Sequence, residues 1–291
     1  MYNNIKDLLI ESEKKNCSIA SLVMENEKNI SGMSEEEIYN QLRKRMEVMK
    51  KSAEKALNEP QNMFGNLISG QAQKQHLYKS KEGFLGPALN RMMAQALSCC
   101  EVNASMGRIC AAPTAGSCGI LPAVLFYGST QMGSEEKEIL DALLVASGIG
   151  AVVTRNATVS GAEGGCQAEC GTAAAMAAAA LVTLAGGTAE QVAESISIAL
   201  INCMGLVCDP IAGLVQLPCS FRNASQAMNA VSSADLALAG QRAMIPADEV
   251  IDAMYRVGRM MPPQLRETSQ GGIATAPTAL EMNHIFSLLS L

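Results

Sequence analysis

Tryptophan is absent from this 291-residue sequence, histidine occurs only at His76 and His284, and aromatic residues make up 3%. Charged residues reach only 17%, below the roughly 25% of an ordinary soluble domain. No Lys/Arg cluster interleaves with aromatics and the net charge is −6, so the electrostatic footprint of a nucleic-acid-binding protein is missing. The opening MYNNIKDLLIESEKKN lacks the basic-then-apolar run of a secretory leader, and a cytoplasmic location is expected. The apolar stretches 139–153 and 172–186 are too short and too alanine-rich to span a bilayer. No G-x-x-x-x-G-K-[ST] string cradles a nucleotide phosphate.

What is present is apolar and small. Hydrophobic residues make up 48% of the chain, with 18 methionines, 24 glycines and 10 cysteines. This composition excludes disorder and is enough for a large buried core. The periodicity is helical almost throughout, and sustained period-two alternation is lacking, so the expected fold is all-α. Ser34 followed by Glu37 forms a capping box. Behind it Ile38, Leu42, Met46, Met49, Ala53 and Leu57 step by three and four along one face. Residues 1–60 therefore read as a helical arm and 61–291 as the main helical domain, with the two able to merge into one. Helices are expected over 85–110, 135–153, 172–185, from Thr188 to about Met204, over 222–240 and over 248–260. Met261-Pro262-Pro263 stops the last of these. The run TAAAMAAAALVTLA is apolar on every side, which marks its helix as central.

Three segments rich in small and polar residues interrupt the helices: PTAGSCG (113–119), SGAEGGCQAECG (160–171) and GLVCDPIAGLVQLPC (205–219). Packing does not require them, and backbone amides at such turns can receive an anion, as those from Ser117 to Ile120 could. Each carries a cysteine. No two cysteines are spaced C-x-x-C, which removes zinc ribbons, thioredoxin-like pairs and the tight ferredoxin run. Pyridoxal phosphate needs a lysine for its Schiff base. After residue 82 the only lysine is Lys137, in the charged run EEKE, so that chemistry would fall on Lys74, Lys79 or Lys81. None of the three has a phosphate-cup context. Cys17, Cys99, Cys100, Cys110 and Cys203 sit in helical patterns and read as small buried hydrophobes. The loop cysteines remain, and a four-iron four-sulfur cluster accepts thiolates that are distant in sequence.

The strings EVNASMGRICAAPTAGSCGILPAVL, NATVSGAEGGCQAECG, GLVCDPIAGLVQLPC with RNA after it, DEVIDAMYRVG and RETSQGG closely resemble the iron-sulfur L-serine dehydratases, alpha-subunit type. The resemblance runs from about residue 5 to residue 278. It implies a helical catalytic domain that deaminates L-serine to pyruvate and ammonia without pyridoxal phosphate, an amino-acid-degrading step able to feed gluconeogenesis. It also implies a 4Fe-4S cluster held by Cys166, Cys208 and Cys219, with one iron left open as a Lewis acid toward the serine carboxylate and hydroxyl. By matching strings, Asn103, Thr114, Ser117 and Ser160 are expected near the substrate. Cys118 and Cys170 are expected to pack beside the site.

Two strings of fused, single-chain members are missing. The S-S-S-H-T-x-G-P-M run is absent, which implies a separate beta subunit supplying that segment and a histidine, and hence an oligomer. The chain ends in Ser290-Leu291 rather than in a cysteine that could reach the fourth iron. In addition, the family pattern [TS]-G-G-D-[AG]-x-K here reads Ser69-Gly70-Gln71-Ala72-Gln73-Lys74, with Gln71 in place of Asp. Lys74 stays in register and is the one candidate for a catalytic group in this chain. Alternative expectations are β-elimination on L-cysteine, a regulatory subunit whose cluster senses oxygen, and a structural helical protein in which the cysteines coincide by chance.

Overall fold

A computed structural model describes residues 2–78 and 83–289. Lys79, Lys81 and the Ser290-Leu291 ending lie outside the described residues. Thirteen α-helices are formed among those described: α1 (Ile5–Lys15), α2 (Ile19–Ser31), α3 (Glu35–Asn58), α4 (Gln71–Leu77), α5 (Gly86–Ala104), α6 (Ile120–Met132), α7 (Glu136–Asn156), α8 (Gly161–Gly164), α9 (Thr172–Leu184), α10 (Ala189–Asn202), α11 (Cys219–Leu238), α12 (Ala247–Met260) and α13 (Pro277–Leu289). No strand forms among them. A single isolated parallel bridge joins Cys208 to Arg266. The all-α expectation is met.

The local chemistry accounts for the helix ends. The Ser34 hydroxyl accepts from the Glu37 amide while the Glu37 carboxylate accepts from the Ser34 amide, satisfying two donors that an α-helix start leaves open. Thr188 and Gln191 do the same for α10. Ile38, Leu42, Met49, Ala53 and Leu57 are buried along α3, with Met46 half-buried at the stripe's edge.

Eleven residues of α9, from Thr172 to Val182, are buried. The window 167–184 is the one among the described residues that is long and apolar enough to cross a membrane, but 83% of it is buried inside the protein. Helices α6, α7, α10 and α11 surround α9. Alanine on every side lets these neighbours approach closely. Gly128 of α6 has no room for even a methyl group, because a Cβ there would run into Leu181. Helix α5 then joins α3, α4 and α11 into a second layer.

Four features differ from the sequence reading. The helix expected over 85–110 stops at Ala104, where Met106 turns left-handed and the Gly107 amide closes onto the Val102 carbonyl at 2.8 Å. Segment 160–171 is not an irregular loop but the short helix α8 followed by a wide π turn over Gln167–Gly171, which runs into α9. A π turn holds one residue more than an α turn, and such turns recur at functional sites because they re-aim side chains. Helix α11 begins at Cys219 rather than near residue 222, because the Pro218 carbonyl already accepts the helical bond from the Arg222 amide at 3.0 Å. The Pro-Pro stop after α12 is real, yet a further helix, α13, follows it and carries the exposed His284.

Candidate active site and metal centre

The wide turn, the stretch after α10 and the start of α11 meet at one end of α9. Gln167 binds the first two together. Its amide donates to the Leu206 carbonyl at 3.0 Å, its Oε1 accepts from the Gly205 amide at 2.8 Å, and its Nε2 donates to the Met254 carbonyl on α12 at 2.9 Å. Asn223, fully buried on the second turn of α11, binds the 113–119 segment. Its Oδ1 accepts from the Gly119 amide at 2.9 Å, and its Nδ2 donates to the carbonyls of Gly116 (2.8 Å) and Cys219 (2.9 Å).

Cys208 is thereby brought within the electrical influence of Cys166 and Cys219, and Cys219 within that of Cys166. Burial raises the Cys208 thiol, and the nearby Glu169, Cys166 and Cys219 add to the rise. Burial also pushes Cys219 up to about 12, with Cys166 and Glu169 contributing. Cys166 moves the other way. A hydrogen bond from Cys170 and the charge of Arg222 hold it below the usual thiol range. Buried thiols resist ionisation because a thiolate loses its hydration, and a metal centre supplies the compensating charge.

Arg222 is itself fixed. Its guanidinium pairs with Asp209 at 2.7 Å and donates to the Val207 carbonyl at 2.7 Å. The second oxygen of Asp209 accepts from the Ile273 amide at 2.7 Å. A strap from Pro262 to Gly272 lies over Cys208: Leu265 accepts from the Cys208 amide (2.9 Å), and the Glu267 amide donates to the Cys208 carbonyl (2.7 Å). Ser269 donates to the Pro210 carbonyl at 2.6 Å. Glu267 and Ser269 both take left-handed backbone angles in this strap, which strands and helices avoid and tight functional segments tolerate.

At the centre stands Glu169, half-buried on the wide turn. Its Oε1 accepts from the Thr114 hydroxyl at 2.9 Å, and its Oε2 lies 3.8 Å from the Cys208 sulfur. Gly116 and Gly161 press on the same carboxylate. A Cβ on Gly161 would stand 2.6 Å from Oε2 and 3.0 Å from the Cys208 sulfur. Burial raises the Glu169 carboxyl, opposed by the Thr114 hydroxyl, while Glu267 adds repulsion.

Of the four expected substrate residues, Thr114 reaches this hub directly. Ser117 is fully buried and its hydroxyl lies 3.1 Å from that of Thr114, within the turn they share. Asn103 donates to the Ala115 carbonyl at 3.2 Å and so borders the same turn. Ser160 opens α8, and its hydroxyl has no protein partner among the described residues. Cys118 packs with Cys99 and Ala53. Lys74 is exposed on α4 and makes no hydrogen bond or ion pair with these segments. The altered position, Gln71, stands at the start of α4 with its buried Oε1 unpartnered. That start is held by the fully buried Glu101, which accepts from the amides of Gln61 (3.2 Å), Gly70 (3.1 Å) and Ala72 (2.8 Å).

Sequence reasoning missed Glu169, Asn223, Arg222 and Glu101. Glu169 and Arg222 lay inside quoted strings, and the signal that could have flagged them was charge within otherwise uncharged, small-residue segments.

Among the described residues no three His, Cys, Asp or Glu side chains converge as a single metal ion would require. A polynuclear cluster makes a different demand, since its ligands attach to separate irons around a body several ångströms across. A Cys208 thiol influenced by both Cys166 and Cys219, an arginine acting on Cys166 and a buried Ser220 hydroxyl without a partner next to Cys219 are compatible with that demand. The donor set is all sulfur, which suits iron-sulfur chemistry.

Comparison with known proteins agrees with this architecture. The family model described as "Serine dehydratase alpha chain" matches residues 14–274. A Bacillus subtilis (strain 168) protein named "Probable L-serine dehydratase, alpha chain" is 44% identical over 97% of this chain and 94% of its own length. The "L-serine dehydratase, alpha chain" of Peptoniphilus asaccharolyticus is 47% identical over 98% of both chains. "L-serine dehydratase 2" of Escherichia coli (strain K12) is 38% identical over 94% of this chain but only 61% of its own length. With near-complete coverage at this identity, the chain belongs to the serine dehydratase alpha chain family.

Proposed function

We propose that this chain is the catalytic alpha subunit of an L-serine ammonia-lyase that works with a 4Fe-4S cluster on Cys166, Cys208 and Cys219 and without pyridoxal phosphate. The observation that carries the reading is Glu169, bonded by the Thr114 hydroxyl and 3.8 Å from the Cys208 sulfur on the turn that follows Cys166, in a chain of the dehydratase family. The reaction removes the α-proton and the β-hydroxyl of L-serine as water, leaving aminoacrylate. Aminoacrylate tautomerises to an imine, which hydrolyses to pyruvate and ammonia. Hydroxide leaves poorly and the α-proton is weakly acidic, so both ends of the elimination need help. The bound cluster would supply Lewis acidity to the carboxylate and the departing hydroxyl.

The chain's own residues do the rest. The Cys170 hydrogen bond and the charge of Arg222, itself braced by Asp209 and the Val207 carbonyl, favour the thiolate of Cys166 that ligation would need. Gln167 and Asn223 hold these segments together, and in this reading Thr114, Ser117, Asn103 and Ser160 serve the substrate. The wide turn and the strap exclude bulk water from the sulfurs. His76 and His284 make no bond with these segments. The base therefore comes from a partner beta chain, and the working enzyme is an oligomer of both subunits in the cytoplasm. Exposed Lys74 has no such contact either, and this reading gives it no part in the proton transfer.

The test is anaerobic reconstitution of this chain with iron and sulfide, mixing with a candidate beta chain, and assay of pyruvate from L-serine and sulfide from L-cysteine. Pyruvate from serine that depends on both chains supports the reading. Preferential sulfide release, or full activity after iron is removed, refutes it.

A further inference from the structure

Glu169 is a carboxylate without a counter-ion. None of the ion pairs among the described residues includes it. The charge that acts on it is Glu267, of its own sign. The guanidinium of Arg222, which acts on Cys166, is spent on Asp209 and the Val207 carbonyl. Thr114 satisfies one carboxylate oxygen with a hydroxyl, and the other faces the Cys208 sulfur at 3.8 Å. Gly116 and Gly161 let the backbone of two other segments come up against this group where a side chain would displace it. A half-buried carboxylate with no ion-pair partner among the described residues, at the point where three site segments meet, is arranged for a cation that arrives from outside.

We infer that Glu169 is the substrate-binding residue that reads the α-ammonium group of the amino acid. The inference rests on the dehydratase reading and goes beyond it by naming what selects an amino acid over the corresponding hydroxy acid. L-glycerate carries the carboxylate and β-hydroxyl of L-serine but replaces its ammonium with a hydroxyl. A site that reads the ammonium through Glu169 favours serine strongly, and one that reads only oxygens does not.

The experiment uses the reconstituted two-chain enzyme kept under anaerobic conditions. L-serine KM and kcat, the inhibition constant of L-glycerate, calorimetric binding of both compounds and iron content are measured for wild type, Glu169→Gln and Glu169→Asp. Losing one partner of a desolvated charge pair costs about 2 kcal/mol or more, which is about thirtyfold in affinity. The expected result is a rise of about thirtyfold or more in serine KM and dissociation constant for Glu169→Gln. Glycerate affinity and iron content stay as in wild type, and Glu169→Asp recovers part of the loss because it retains the charge. Serine affinity within about threefold of wild type, or an equal loss for serine and glycerate, overturns the inference. If the Gln variant fails to take up iron, Glu169→Asp is read by the same criterion: selective loss for serine supports the role and equal loss refutes it. Absence of pyruvate from the wild-type enzyme counts against the dehydratase reading itself and removes this inference with it.

Discussion

At the scale of single residues, the site depends on groups that are small or fully committed. Gly161 has space for hydrogen only, since a methyl group there would meet both Glu169 and the Cys208 sulfur. Gly161→Ala is therefore expected to displace one or the other and to lower bound iron and kcat together, while far-UV circular dichroism stays helical. Unchanged iron content in that variant would show that the two side chains have slack. The Asp209–Arg222 pair is a second dependency. Both side chains are largely buried, at 4% and 16% exposure, and removing one partner strands the other charge. Asp209→Ala should destabilise the chain by about 3 kcal/mol in denaturant titration, the lower end of what broken buried pairs cost. A loss below about 1 kcal/mol would place the pair among solvated surface contacts.

At the scale of elements, caps and close helix contacts carry the fold. Removing the Ser34 hydroxyl takes away a cap at the start of the 24-residue α3, and Ser34→Ala should cost about 1 kcal/mol, seen as a Tm lower by roughly 2–4 °C. Gly258 of α12 faces the backbone of Gly164, and a Cβ there would lie 2.6 Å from the Gly164 Cα. Backbone cannot swing aside as a side chain does, so Gly258→Ala should cost about 1–3 kcal/mol and reduce iron retention by shifting the turn that precedes Cys166. Retention of both full stability and full iron would mean that α8 moves freely. Helix content, the α3 stripe and the buried α9 were legible in the sequence because period and capping chemistry are local. The wide turn was not legible. Whether a Gly-rich string closes as a loop or as a π turn is decided by what its carbonyls and amides meet, here Leu206 and Met254 carbonyls that only the assembled fold brings near Gln167. The same holds for Glu169. Its charge was visible, but its place among Thr114, Gly116, Gly161 and Cys208 arises from three distant segments.

At the scale of the whole molecule, the alanine-rich centre is a means of bringing those segments together. Because α9 carries no bulky side chain between Thr172 and Ala175, neighbouring helices crowd its first turns, and the segments that enter and leave them end within reach of one another. Cys208, 42 positions after Cys166 and 11 before Cys219, comes under the electrical influence of both as a consequence. Neither histidine of this chain bonds to these segments, and turnover by the isolated subunit is accordingly expected to be weak until the beta chain is added. Robust pyruvate production by the lone chain would contradict that division of labour. The most direct measurement of the central claim is iron and acid-labile sulfide per chain after anaerobic reconstitution, run on wild type and on Cys208→Ala. The account predicts about four irons and four sulfides with brown colour in the wild type, and loss of most of both in the variant. A wild-type chain that takes up no iron, or a Cys208→Ala chain that retains the full complement, would contradict it.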